Sequence, residues 1–168
     1  NYFKSKEFYQ SFVASNGYVA ATAQYNSGPG SDEGCAYLWT TELMKNRSNL
    51  VDSTRMGMRG YSLGAGIANW LSLTMFNDRN WGSNGRFVWP DAGASFIGWH
   101  DDWPNDIYRQ TDSGLAAMPD DVLYLMTMHD LDNTADPRTG IDIYNFMGVP
   151  ESNKEFYVIK GETINNYI

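Results

Sequence analysis

The segment Gly60-Tyr61-Ser62-Leu63-Gly64 has the spacing G-x-S-x-G, which is typical of a serine that acts as a nucleophile. A strand-like run, residues 54–59, precedes it, and a helix-like run, residues 65–71, follows. The glycines allow a turn sharp enough to leave the serine hydroxyl standing at the end of the strand. The free N–H groups of the following helix favour negative charge beside it. The pattern therefore predicts a nucleophile elbow at Ser62; the alternative is a glycine-rich turn before an ordinary core helix.

The elements around this segment alternate between helix and strand. Apolar spacing predicts a helix over residues 4–15, ended by Asn16-Gly17, and the apolar run 18–23 predicts a buried parallel strand. Further helices are predicted over residues 35–45 and 140–147, and further strands over residues 86–90, 122–128 and 155–159. The alternation predicts an α/β fold: a mostly parallel sheet of about five strands with helices on both faces, in one domain that spans residues 1–168.

Composition excludes several classes of function. The net charge of −8, without a run of lysine or arginine, argues against a nucleic-acid partner. No apolar run is long enough for a membrane span. The single cysteine, Cys35, excludes an intrachain disulfide, a C-x-x-C redox pair and a thiolate zinc cluster. We therefore expect a globular protein that needs no cofactor.

An acidic cluster, Asp130, Asp132 and Asp136, has a spacing that suggests calcium. A calcium loop of the EF-hand type needs glycine at its sixth position and glutamate at its twelfth, where this chain has Ala135 and Ile141. The sequence therefore predicts no metal site, and the loop of a hydrolase explains the same carboxylates better.

In this order, the elements resemble the α/β-hydrolase superfamily, and the closest branch is that of dienelactone hydrolases and bacterial cutinases, which are polyester hydrolases. Residues 51–66 carry the most specific likeness, residues 132–137 resemble the acid loop, and residues 154–161 resemble the final strand before the histidine loop. Residues 15–20 resemble the helix-to-strand junction before the family's fourth strand. The resemblance implies a hydrolase of small or polymeric esters, secreted or periplasmic.

The same resemblance assigns roles to single residues. Ser62 would attack an ester carbonyl to give an acyl-enzyme, and the backbone N–H of Leu63 would be one donor of the oxyanion hole. The second donor would come from the loop after the third strand of the family, where this chain has Tyr2 and Phe3. Asp136 would be the acid that orients a catalytic histidine.

The chain departs from this family in two ways. The family's first three strands are absent, so we expect a fragment, a minimal fold, or a partner chain that completes the sheet. Ile164 stands where the family has its histidine, and isoleucine cannot accept a proton. His129 is one substitute base, two strands from the elbow and about 10 Å away, although it also suits a cap at the strand end. His100 is the other, in a long loop, where it also suits a solvated position.

Two tryptophans, Trp99 and Trp103, lie in the same long loop and are candidates to stack on the acyl or aromatic part of a substrate. Three functions remain open on the sequence: a serine ester hydrolase, a binding or structural module that lost its base, and an acyltransferase. Water access to the cleft separates transfer from hydrolysis.

Overall fold

The computed structural model describes residues 2–22, 31–47, 49–73, 75–76, 81–91, 115–133 and 136–161. The chain divides into two compact units, one within residues 1–53 and one within residues 54–166. Each unit is described by itself.

The first unit contains two helices, α1 (Tyr2–Ser15) and α2 (Ser31–Lys45). Both predicted helices are confirmed, and each begins a few residues earlier than the pattern indicated. Gly17 follows the end of α1 with φ of 85°, a backbone angle that glycine adopts without strain.

The predicted strand over residues 18–23 is wrong for the residues described there, because residues 18–22 form no strand. Tyr18 and Val19 are 55% and 51% exposed. A short apolar run identifies a strand only when a neighbouring strand accepts its backbone hydrogen bonds, and sequence periodicity does not report that neighbour.

The second unit contains a sheet of four parallel strands in the order β1-β2-β3-β4. The strands are β1 (Arg55–Tyr61), β2 (Gly85–Asp91), β3 (Val122–His129) and β4 (Lys154–Ile159). Helix α3 (Leu63–Leu73) follows β1, and α4 (Pro137–Phe146) with a short 3₁₀ helix (Glu151–Asn153) lies between β3 and β4. The predicted α/β class with a parallel sheet is confirmed.

The core of this unit lies between one face of the sheet and the two helices. Tyr124 of β3 is buried, and its hydroxyl donates to Asn69 Oδ1 of α3 at 2.9 Å. Burial raises the pKa of the Tyr124 phenol, so the group remains a neutral donor. Met128 lies on the same face of β3 as Tyr124, and its side chain lies against Gly140 of α4. Helices α3 and α4 therefore cover one common face.

The opposite face carries the other alternating set of side chains. Leu123 and Tyr157 on this face are more than half exposed, while the polar side chains of β1, β2 and β3 meet at its carboxyl end. None of the helices in the described ranges has the length and apolar character needed to cross a bilayer.

Candidate active site

Ser62 occupies the turn between β1 and α3. Its φ is 56°, and it is the one non-glycine residue of the described chain with a positive φ. Such a backbone angle costs on the order of 1–3 kcal/mol for a residue with a side chain. The Ser62 N–H donates to the Asp91 carbonyl of β2 at 3.1 Å, and the Ser62 carbonyl accepts the Ala65 N–H at 2.8 Å. The strand, strained turn and helix expected of an elbow are therefore present.

Gly60 allows the helix to begin this close to the strand. A Cβ atom built at Gly60 would lie 1.7 Å from the Gly64 carbonyl oxygen and 2.7 Å from the Ala65 nitrogen. A Cβ atom built at Gly64 meets nothing within 4 Å. The first glycine of the motif is therefore required by packing, whereas the second is not.

The turn at Ser62 lies directly before the N-terminus of helix α3. Leu63 is the first residue of α3, and the first N–H groups of a helix have no acceptor within it. These groups, with the helix dipole, favour an oxyanion beside the serine. Ser62 is half-buried, and nothing in the described ranges hydrogen-bonds to its hydroxyl.

Four side chains from three strands contact one another in a ring next to this turn. Asp91 forms an ion pair with Arg59 and accepts a hydrogen bond from the Thr127 hydroxyl. Trp89 donates from its indole nitrogen to Thr127 Oγ1 at 3.1 Å, and the Arg59 guanidinium lies 4.8 Å from the Trp89 ring centroid. The sequence did not reveal this set because the three strands that form it are distant in the chain. Arg59, a charged residue inside a strand-like run, was the available signal, whereas Asp91 follows the predicted strand of residues 86–90.

The three aspartates after β3 have different surroundings. Asp130 accepts the Gly161 N–H at 2.7 Å and so joins the loops after β3 and β4, while Asp132 is buried. Asp136 caps helix α4, where its carboxylate accepts the Arg138 N–H at 2.9 Å and also pairs with the Arg138 guanidinium. Aspartate directly before proline is a signal for such a cap. Among the residues that the structure describes, no cluster could hold a metal ion.

Arg138 is expected to control the titration of Asp136. Its side-chain and backbone hydrogen bonds lower the pKa of the Asp136 carboxyl. The stabilisation is therefore present above the ordinary carboxyl pKa of about 3.9 and is lost as the pH falls through the lowered value. In Arg138→Gln, we expect the pKa of Asp136 to rise, measured by NMR titration of its side-chain carboxyl. An unchanged pKa would show that another donor holds the carboxylate.

The structure describes only some of the other predicted site residues. His129 is the last residue of β3, is 1% exposed, and is separated from β1 by β2. Tyr2 and Phe3 lie in the first turn of α1 rather than in a loop, and a helix's first N–H groups still lack intrahelical acceptors. Their roles stay predictions, as does that of Asp136 in a triad. His100, Trp99, Trp103 and Ile164 lie outside the described residues.

Comparison with known proteins identifies the fold. No family model matches the sequence, and a search of curated proteins finds no match. An α/β serine hydrolase homologue from Coxiella burnetii has a TM-score of 0.52 at 15% identity, over 86% of this chain and 56% of that one. Carboxyl esterase 2 from the fungus Tuber melanosporum has a TM-score of 0.53 at 18% identity, over 76% of this chain and 50% of that one. Est1E from Butyrivibrio proteoclasticus, solved with ferulic acid bound, has a TM-score of 0.53 at 12% identity, over 79% and 59%.

The chain therefore has the fold of α/β serine hydrolases and esterases. It spans about half the length of these solved structures. The strand order β1-β2-β3-β4 agrees with the expectation that the strand ending at His129 lies two strands from the strand before Ser62.

Proposed function

We propose that this chain is a serine hydrolase that cleaves carboxylic esters through an acyl-enzyme on Ser62. The observation that carries the proposal is the φ of 56° at Ser62, on the turn between β1 and α3. Strained backbone of this kind persists only where the surrounding structure imposes it, and it is common at reactive side chains. The similarity of the fold to those of esterases supports ester cleavage as the reaction at this turn.

In the proposed reaction, Ser62 Oγ attacks the ester carbonyl carbon while a base takes its proton. The Leu63 N–H stabilises the negative carbonyl oxygen. The alcohol leaves with the proton, and water then releases the carboxylic acid and restores Ser62. Transfer of the acyl group to another alcohol would follow the same first step.

The substrate is proposed to be a small or polymeric ester, as in the dienelactone-hydrolase and cutinase branch. Trp99 and Trp103 would stack on its acyl or aromatic part. The structure of Est1E with ferulic acid, an aromatic acid, supports an aromatic acyl group as the first one to test. Residues 1–168 would act as one domain, with a partner chain completing the sheet.

The second candidate function is a binding or structural module without catalysis. Ile164 at the position of the family's histidine favours it, because a serine without a base is a poor nucleophile.

A fluorophosphonate probe separates the two functions. Its phosphorus atom bonds to an activated serine oxygen and releases fluoride, so the intact mass of the protein rises by one adduct. We expect one adduct on the unmodified protein and none on Ser62→Ala. Ser152→Ala, at an exposed serine in the 3₁₀ helix, is the matched control and should keep the adduct.

The same probe identifies the base. His129→Gln and His100→Gln should be compared with the unmodified protein, and the variant that loses the adduct while folded identifies the base. A folded protein that forms no adduct at all would contradict the hydrolase proposal and support the binding module.

A further inference from the structure

We propose that four side chains, Arg59, Trp89, Asp91 and Thr127, hold Ser62 in its reactive backbone conformation. These four residues are here called the polar ring. The inference rests on the proposed role of Ser62 as a nucleophile. It assigns the polar ring a positioning role, because the ring acts on the Ser62 backbone through the main chain of Asp91 and not on the reacting atoms.

The polar ring joins three neighbouring strands on one face of the sheet. Arg59 lies opposite Trp89 in the register of β1 and β2, and Asp91 lies opposite Thr127 in the register of β2 and β3. The Thr127 hydroxyl is the junction, since it donates to Asp91 and accepts from Trp89. Arg59 closes the ring through its ion pair with Asp91 and its position over the Trp89 ring. Loss of one member therefore removes at least one contact from each of two neighbours.

The backbone of Asp91 connects the polar ring to the serine. Asp91 is the last residue of β2 and lies opposite Tyr61, the last residue of β1. Its carbonyl accepts the Ser62 N–H at 3.1 Å. The Asp91 side chain is anchored on both sides, by Arg59 and by Thr127, so the direction of that carbonyl is constrained at a strand end that would otherwise fray.

The ion pair has a second consequence for the site. The Asp91 carboxylate is largely buried, with a side-chain exposure of 13%. Unpaired, its charge would lie near the turn where negative charge develops during attack on an ester, and it would oppose that charge. Arg59 cancels it. The polar ring therefore orients the Ser62 backbone without adding a net charge to the site.

Thr127 offers the sharpest test because valine has nearly the same shape without the hydroxyl. Thr127→Val removes both hydrogen bonds at the junction, whereas Thr127→Ser keeps the hydroxyl. Asp121→Asn is the matched control, since Asp121 pairs with Arg86 at 3.5 Å at the amino end of β3. Two quantities are measured: the second-order rate of Ser62 acylation by a fluorophosphonate, and the hydrogen-exchange rate of the Ser62 amide by NMR.

We expect Thr127→Val to slow acylation by about tenfold or more, because small misplacement of a reacting group has a large effect on rate. The Ser62 amide should exchange faster in this variant, while amides between β3 and β4 keep their protection. Thr127→Ser should restore both values, and Asp121→Asn should leave both unchanged.

An unchanged acylation rate in Thr127→Val would overturn the proposal, as would a loss of rate that Thr127→Ser does not restore. If the unmodified protein forms no adduct, the proposed function fails separately, and hydrogen exchange alone decides on the polar ring. Faster exchange of the Ser62 amide in Thr127→Val than in Thr127→Ser would then support the proposal that the polar ring holds the Ser62 backbone. Equal exchange in the two variants would overturn that proposal.

Discussion

Ile164→His is expected to speed the acylation of Ser62 by on the order of 100-fold or more, the range that a positioned general base supplies. Isoleucine cannot take the proton of the serine hydroxyl, and His129 is buried on a strand that does not pair with β1. The resemblance of residues 154–161 to the strand before a histidine loop is the reason to expect a base at position 164. The second-order rate of fluorophosphonate labelling, followed by intact mass, measures the effect.

The pH dependence identifies the new group. Neutral imidazole accepts the proton, so the rate in Ile164→His should rise with pH through the ordinary histidine pKa of about 6.5. Ile164→Gln is the control, because it introduces polarity without a base near neutral pH. Equal rates in the two variants would show that position 164 does not reach Ser62.

Gly60→Ala is expected to lower the free energy of unfolding by about 3 kcal/mol, the upper part of the range for overpacked sites. The added methyl group would meet backbone atoms of α3, at 1.7 Å from the Gly64 carbonyl oxygen. Backbone cannot rotate away as a flexible side chain can, so α3 must shift from β1. Urea denaturation measures the loss, and labelling of Ser62 should fall with it because the turn is displaced.

Gly64→Ala is the matched control in the same motif. Its Cβ atom meets nothing within 4 Å, and alanine favours a helix over glycine by up to about 1 kcal/mol. The variant should therefore be as stable as the unmodified protein or more stable. Equal destabilisation by the two substitutions would contradict the close approach of α3 to β1 at Gly60.

Local sequence was enough to predict the turn at Ser62 and the class of the fold. Glycine spacing, strand propensity before Ser62 and helical spacing after it are properties of neighbouring residues, and the structure has strand, turn and helix there. The alternation of elements likewise predicted a parallel sheet. The run at residues 18–23 failed because a strand also needs a partner, which its own residues do not specify.

Asp136 shows how one residue can carry two signals. The family pattern predicts a triad acid, while the structure has it as the cap of α4, paired with Arg138. The cap was readable from the aspartate before Pro137, since capping involves residues only two or three positions apart. A hydrogen bond between this carboxylate and a histidine depends on residues distant in the chain, so neighbouring residues do not predict it.

The polar ring was decided by tertiary structure alone. Arg59, Asp91 and Thr127 are more than 30 residues apart from one another in sequence, and they meet because parallel pairing sets β1, β2 and β3 in one register. A shift of one residue in any strand would turn these side chains to the opposite face. The sequence by itself determined where the turn at Ser62 would lie, because that depends on local backbone. Only strand pairing determined which side chains lie next to it, because register is a property of the assembled sheet.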